Sequence, residues 1–162
     1  MNKIRFALLR HGVTDWNVEK RIQGHSDISL RADTIAKYRT RRLPNDWQTV
    51  PWYCTPLSRT RETADALAIS SVTPQPDLIE MDWGNWEGQR LPDLRKVLGE
   101  NMAQNEDRGW AFRPDGGESP QHVLVRVQGF LTRQMNVHGA VKFGAITHKG
   151  VIRAVYAAAR GW

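Results

Sequence analysis

Ile4-Arg5-Phe6-Ala7-Leu8-Leu9-Arg10-His11-Gly12 is the stretch that decides how this chain folds. Its first six residues have the composition of a buried strand. The strand runs out in a guanidinium, an imidazole and a glycine, and in open α/β sheets ligands bind outside the carboxyl ends of the strands. Histidine can serve as a nucleophile at neutral pH. Arginine presents a planar fork of donors that fits phosphate oxygens, and glycine lets the backbone approach a ligand closely. Together they point to a site that attacks phosphorus, provided that partners stand at the ends of later strands.

Such partners recur downstream. Cys54-Thr55-Pro56-Leu57-Ser58-Arg59-Thr60-Arg61-Glu62-Thr63-Ala64 reads as strand, turn and helix. It puts Arg59 in the first helical turn, where the partial positive charge of the helix N-terminus adds to the guanidinium. Ala145-Ile146-Thr147-His148-Lys149-Gly150 repeats the order strand, His, Gly. Two histidines and two arginines at one sheet edge make a pocket for a dianion. Protonating a leaving oxygen still requires an acid. Glu80, in Leu78-Ile79-Glu80-Met81-Asp82-Trp83-Gly84, ends an extended segment before a loop that can lie over the pocket. Asp82 and Glu87 are neighbouring carboxylates, and Glu87 reads as the residue that fixes the loop. Trp83 and Trp86 flank the acid and either wall it off, which raises its pKa, or simply pack. His25, His122 and His138 fall in no such motif and read as surface or cap residues.

The chain has 162 residues, enough for one domain with a real core, expected over residues 1–162. Lys+Arg 23 against Asp+Glu 17 gives a net charge of +6, which suits an anionic ligand. The runs Arg39/Arg41/Arg42 and Arg90/Arg95/Lys96 read as solvated helix faces. No aromatic–basic signature of RNA binding accompanies them, so no nucleic-acid partner is expected. Cys54, the only cysteine, excludes an internal disulfide and a Cys-based zinc site and reads as a small buried hydrophobe. The apolar part of Met1 to Arg10 is too short for a secretory leader. No window approaches the ~20 apolar residues of a membrane helix. The expected location is the cytoplasm, without a membrane partner.

Short apolar strands alternate with helical stretches, which predicts a three-layer α/β/α fold: a mostly parallel central sheet with helices on both faces. Strands are expected at Arg5–Arg10, Val50–Cys54 and Val141–Thr147, with Pro74–Glu80 extended. Helices are expected at Leu30–Arg42, from Ser58 as cap to Ile69, at Leu91–Leu98, from Pro120 (capped by Ser119 and stopped by Gly139) to His138, and at Val151–Ala159. Gly12–Ile28 reads as a loop and Asn101–Gly117 as a polar excursion. The chain stops right after the last helix, at Arg160-Gly161-Trp162, and further C-terminal strands are expected to be missing.

These motifs carry a family resemblance. Leu9-Arg10-His11-Gly12-Val13-Thr14 with Trp16-Asn17, Arg21-Ile22-Gln23-Gly24, Pro56 to Ala64, Glu80 with Gly84-Asn85-Trp86-Glu87-Gly88, Gly116-Gly117-Glu118-Ser119 and Thr147-His148-Lys149-Gly150 occur in order over nearly the whole chain. The chain resembles the histidine phosphatase superfamily in its phosphoglycerate-mutase-like branch, and within it the broad phosphatase and alpha-ribazole phosphatase members. The resemblance implies a histidine acid-type phosphatase that hydrolyses phosphomonoesters through a phosphohistidine on His11. Arg10, Arg59 and His148 would bind the phosphoryl group, and Glu80 would be general acid and then base. Asn17, Thr14, Gly24 and Lys149 would complete the substrate contacts. Two departures stand out: Leu30-Arg31-Ala32-Asp33-Thr34-Ile35-Ala36-Lys37 keeps only the leucine of the family's usual helix, and Lys149 stands where a small residue is common.

Phosphoglycerate-mutase-type transfer is the alternative, disfavoured because the segment Leu91 to Gly116 is short and its basic residues are scattered. A catalytically silent phosphate-binding module is the further alternative. The expected substrate is a small phosphorylated molecule, with a phosphoprotein as a second class. No cofactor and no metal are expected, because fixed Arg and His would replace one and nothing in the sequence supplies a carboxylate cluster for Mg²⁺. Turnover of a phosphomonoester should therefore survive EDTA within about twofold; loss of activity on chelation, restored by a divalent cation, would identify a metal enzyme instead.

Overall fold

The computed structural model describes residues 4–138 and 141–162. Four strands, β1 (Ile4–Arg10), β2 (Trp52–Cys54), β3 (Val72–Pro74) and β4 (Val141–Thr147), form one parallel sheet in the order β1-β4-β2-β3. The helices are α1 (Asp15–Val18), α2 (Ala32–Arg39), α3 (Asn45–Gln48), α4 (Ser58–Ala66), α5 (Leu91–Leu98), α6 (Glu100–Glu106), α7 (Pro120–His138) and α8 (Lys149–Arg160). No described helix is long and apolar enough to cross a membrane.

The last strand in sequence is inserted between β1 and β2, and its composition explains why. Phe143-Gly144-Ala145-Ile146 is buried throughout, the continuous apolar run of a strand covered on both faces. Side chains alternate across it. Phe143 and Ala145 join Phe6, Leu8 and Tyr53 under α7 and α8, where Val123, Val127, Phe130, Val151 and Ala154 close the larger core. The Phe143 ring stacks on Phe6 at 5.7 Å and meets Tyr53 and Phe130 edge-on at 5.5 Å each. Ile146 points the other way and packs with Trp52, Cys54 and Ala64 of α4. Cys54 is the buried hydrophobe expected, and burial raises its thiol pKa.

Several local expectations need correction. The extended segment Pro74–Glu80 pairs only as far as Pro74; a 3₁₀ turn follows at Pro76–Leu78, where Gln75 accepts a bond from the Asp77 amide. Ser58 does not cap α4. It is the first helical residue, and Asp27 serves as a remote cap, accepting from the Ser58 amide at 2.7 Å and its hydroxyl at 2.8 Å. The 12–28 loop contains α1, and the polar excursion after Asn101 contains α6 and a 3₁₀ turn at Gly109–Ala111. Ser119 does cap α7: its Oγ accepts from the His122 amide, and His122 Nδ1 accepts from the Ser119 amide, both at 3.3 Å. Gly139 and the side chain of His138 lie outside the described residues.

Gly144 is small for a packing reason. A Cβ there would sit 2.5 Å from the Trp52 indole, which is itself buried and tethered to the Trp47 carbonyl. Gly144→Ala should destabilise the fold by about 1–3 kcal/mol through overpacking. Urea denaturation followed by Trp fluorescence checks it.

Candidate active site

Parallel register sets the three strand ends side by side. Arg10 lies opposite Thr147 and Cys54 opposite Ile146, so His11, His148 and Thr55 emerge together at the carboxyl edge of the sheet. The His11 amide continues the ladder, donating to Thr147 O at 3.0 Å. Its side chain is buried, and Nδ1 donates to the Gly12 carbonyl at 2.7 Å. A carbonyl only accepts, so Nδ1 carries the proton and Nε2 keeps its lone pair. Burial first, and then the charge of Arg59, hold the His11 pKa down to about 3 against that bond. Gly12 is required beside it, since a Cβ would lie 2.6 Å from Thr34 Cγ2; its amide donates to Thr63 Oγ1 of α4.

His148 is fully buried, with its ring centroid 5.2 Å from that of His11. Arg59 Nε donates toward its Nδ1 at 3.4 Å, and Thr55 Oγ1 lies 2.9 Å from its Nε2. An arginine cannot accept, which assigns the ring proton to Nε2 and the lone pair to Nδ1. The Thr55 hydroxyl donates to Thr60 Oγ1 at 2.9 Å, and Thr60 donates to the Thr55 and Leu57 carbonyls. Burial, then the charge of Arg59, lowers the His148 pKa well below its ordinary value, so the ring is neutral.

Arg59 has no exposed surface. Its Nη1 and Nη2 donate to the Ser26 and Gly24 carbonyls, each at 2.7 Å. Among the described residues no carboxylate forms an ion pair with it. Burial pulls its pKa down, opposed by the more distant charges of Glu80, Asp27 and Glu87. The carbonyls that hold it belong to a loop pinned by Glu87. That carboxylate accepts from the His25 amide at 2.7 Å, the Ser26 amide at 2.8 Å and the Ser26 hydroxyl at 2.5 Å. Gly24 has φ +51, and the Glu87 side chain fills the place of a Cβ.

Glu80 follows the 3₁₀ turn. Its carboxylate accepts from the Met81 amide at 2.9 Å and from the Gly150 amide, in the first turn of α8, at 3.2 Å. Burial pushes its pKa up against these bonds and against Arg59 and Arg126. The neighbouring carboxylates have other work: Asp82 accepts from the Gly84 amide within its turn, and Glu87 fixes the loop as expected. Trp86 belongs to a separate cluster with Leu94 and Met102, which Trp83 and Phe112 join.

The other expected contacts fall out unevenly. Arg10 is exposed at the end of β1, and Lys149 is exposed at the start of α8. Thr14 is fully buried; it donates to Gln23 and closes a capping box with Asn17, so its hydroxyl serves as a cap. Asn17 uses its side-chain oxygen in the same box. Gly24 contributes its carbonyl to Arg59. His25, read from sequence as a surface residue, is exposed but bonds Glu80 O through Nε2 at 2.9 Å. Arg126 of α7 reaches the same carbonyl at 3.0 Å, and nothing in the sequence marked it. Among the described residues no three His, Cys, Asp or Glu side chains converge as metal ligands.

Residues 6–162 match the model of the histidine phosphatase superfamily (branch 1). The chain is 32% identical to phosphoglycerate mutase-like protein 4 of Arabidopsis thaliana, over 95% of this chain and 70% of the relative. It is 30% identical to phosphoserine phosphatase 1 of Hydrogenobacter thermophilus, over 98% and 77%. The solved alpha-ribazole phosphatase of Shigella flexneri superposes with a TM-score of 0.80 at 28% identity, covering 95% of this chain and 78% of that one.

The buried neutral His11 makes a stability prediction. With its pKa near 3 in the folded state and an ordinary value when unfolded, the unfolded chain takes up a proton as pH falls from 7 to 5 and the folded protein does not. That share of stability, about 2 kcal/mol, is lost over this interval. His11→Asn should remove it, so urea midpoints at the two pH values should converge relative to wild type. An unchanged acid slope would contradict a neutral, buried His11.

Proposed function

The chain belongs to the histidine phosphatase superfamily (branch 1), and on that premise we propose that it is a metal-independent phosphomonoesterase working through a phosphohistidine on His11. The observation that carries this reading is Arg59: a buried guanidinium without an ion-pair partner among the described residues, next to a neutral imidazole. A buried charge without a counter-ion is costly, and a phosphoryl dianion supplies one. Relatives named phosphoserine phosphatase and alpha-ribazole phosphatase support a small phosphorylated substrate.

In the proposed reaction His11 Nε2 attacks phosphorus, and its lone pair is available because burial and Arg59 keep the ring unprotonated at neutral pH. Arg10 and Arg59 bind the equatorial oxygens, on which the charge of the transition state is spread. His148 stands beside them; a dianion at its Nδ1 would raise its depressed pKa and draw a proton onto that nitrogen. Glu80, its carboxyl pushed toward the protonated form, gives a proton to the leaving oxygen as the ester bond breaks. The resulting carboxylate then takes a proton from water, the hydroxide oxygen attacks the phosphohistidine, and His11 leaves as neutral imidazole. Lys149, exposed at the start of α8, adds a cation toward a more anionic substrate.

Hydrolysis of p-nitrophenyl phosphate from pH 5 to 8 tests this reading. His11→Ala should lose on the order of 10³-fold or more in kcat with the fold intact, and wild type quenched during turnover should carry acid-labile phosphate on His11. Ordinary turnover by the variant would overturn the assignment.

A further inference from the structure

We propose that Arg126 and His25 are positioning residues for Glu80, gripping the peptide that carries it; this rests on the reading of Glu80 as the general acid. Glu80 sits on backbone that belongs to no strand or helix. Its neighbours in the site emerge from strand ends or a helix, whose ladders fix them. The acid needs another anchor, and placement errors of 1 Å are enough to lower a rate about 100-fold.

The anchor is an ion pair. Arg126 Nη1 donates to Asp77 O at 2.6 Å, and Nη2 donates to Glu80 O at 3.0 Å. The guanidinium is itself fixed by Glu118, with Nε to Oε1 at 3.1 Å and Nη2 to Oε2 at 3.0 Å. Glu118 in turn holds the far side of the acid: its Oε2 accepts from the Asp82 amide at 3.0 Å, and its own amide donates to Asp82 O at 2.8 Å. One bidentate pair thus ties residues 77, 80 and 82. Its side chains are 16% and 25% exposed, the least exposed of the described ion pairs, which favours a single ordered arrangement.

His25 supplies the second grip. Its Nε2 donates to the same Glu80 carbonyl at 2.9 Å. It stands between Gly24 and Ser26, the two residues whose carbonyls hold Arg59. The acid and the buried guanidinium are therefore referred to one loop. A proton delivered to the leaving oxygen has to arrive in register with the phosphoryl group that Arg59 binds, and this loop sets that distance.

The test compares kcat/KM, which reports on the first chemical step, for 2,4-dinitrophenyl phosphate and phenyl phosphate. The first ester leaves without a proton; the second needs one. Glu80→Gln should lower the phenyl ester about 100-fold and leave the dinitrophenyl ester within about threefold. Arg126→Gln should show the same selectivity at about tenfold on the phenyl ester, with circular dichroism unchanged. His25→Ala, at an exposed side chain, should follow in the same direction and covers the case in which the Arg126 variant fails to fold. If Glu80→Gln discriminates between the esters while Arg126→Gln and His25→Ala lower both alike or neither, the positioning role is refuted and the acid assignment stands. If Glu80→Gln itself lowers both esters equally, the acid assignment falls, and the positioning role with it.

Discussion

A guanidinium with no exposed surface and no ion-pair partner among the described residues organises one end of this molecule. Arg59 is carried inward by α4, whose Thr60, Thr63 and Ala64 are buried against the sheet. Three groups with lone pairs converge on it: two loop carbonyls and one imidazole nitrogen. Each is a weaker partner than a carboxylate. The arrangement leaves the positive charge without a carboxylate beside it, and that charge adds to burial, the larger cause, in holding both nearby histidines neutral. In the proposed reaction this buried charge binds the phosphoryl group and, together with burial, keeps the nucleophile free of a proton. The loop of residues 24–26, the Glu87 carboxylate that pins it and the remote Asp27 cap of α4 all bear on that side chain.

The two halves of the site are held in different ways. His11, His148 and Arg59 sit where the backbone is already fixed by ladder or helix, so small inward-facing neighbours suffice: Gly12 against Thr34, Thr55 and Thr60 under the His148 ring. Glu80 has no such support. Its segment is suspended from α7 by Arg126, from β4 by the Thr147 hydroxyl on Leu78 O at 2.6 Å, and from α8 by the Gly150 amide. Each of these bonds crosses at least 46 positions of sequence. Glu80 is thus placed by the assembled fold, and residues remote from it in sequence govern its geometry.

That contrast explains what could be read in advance. The strands at the N-terminus and at Val141–Thr147 announce themselves by continuous apolar runs, and the residues that follow them are polar in a way that packing does not require. His11, Arg59 and His148 were therefore legible as neighbours once a parallel sheet was assumed. The turn at Pro76–Leu78 leaves no local mark, because a proline-bearing stretch looks extended whether or not it pairs. Ser58 looked like a cap because local sequence cannot show that Asp27, 31 positions upstream, takes that place. His25 and Arg126 carry no local pattern: a histidine in a polar loop and an arginine on a long helix are ordinary surface residues until their partners are known.

The sequence by itself determined which chemical groups are present and which strand ends they follow, because apolar periodicity and glycine placement are local properties of the chain. The tertiary structure alone decided their protonation and their aim. Burial, which sets the His11, His148 and Glu80 pKa values, depends on atoms contributed from every part of the chain. The bonds that orient Glu80 and Arg59 join residues remote in sequence: Arg126 and the Gly150 amide reach Glu80 from α7 and α8, and the Gly24 and Ser26 carbonyls reach Arg59 from the loop after α1.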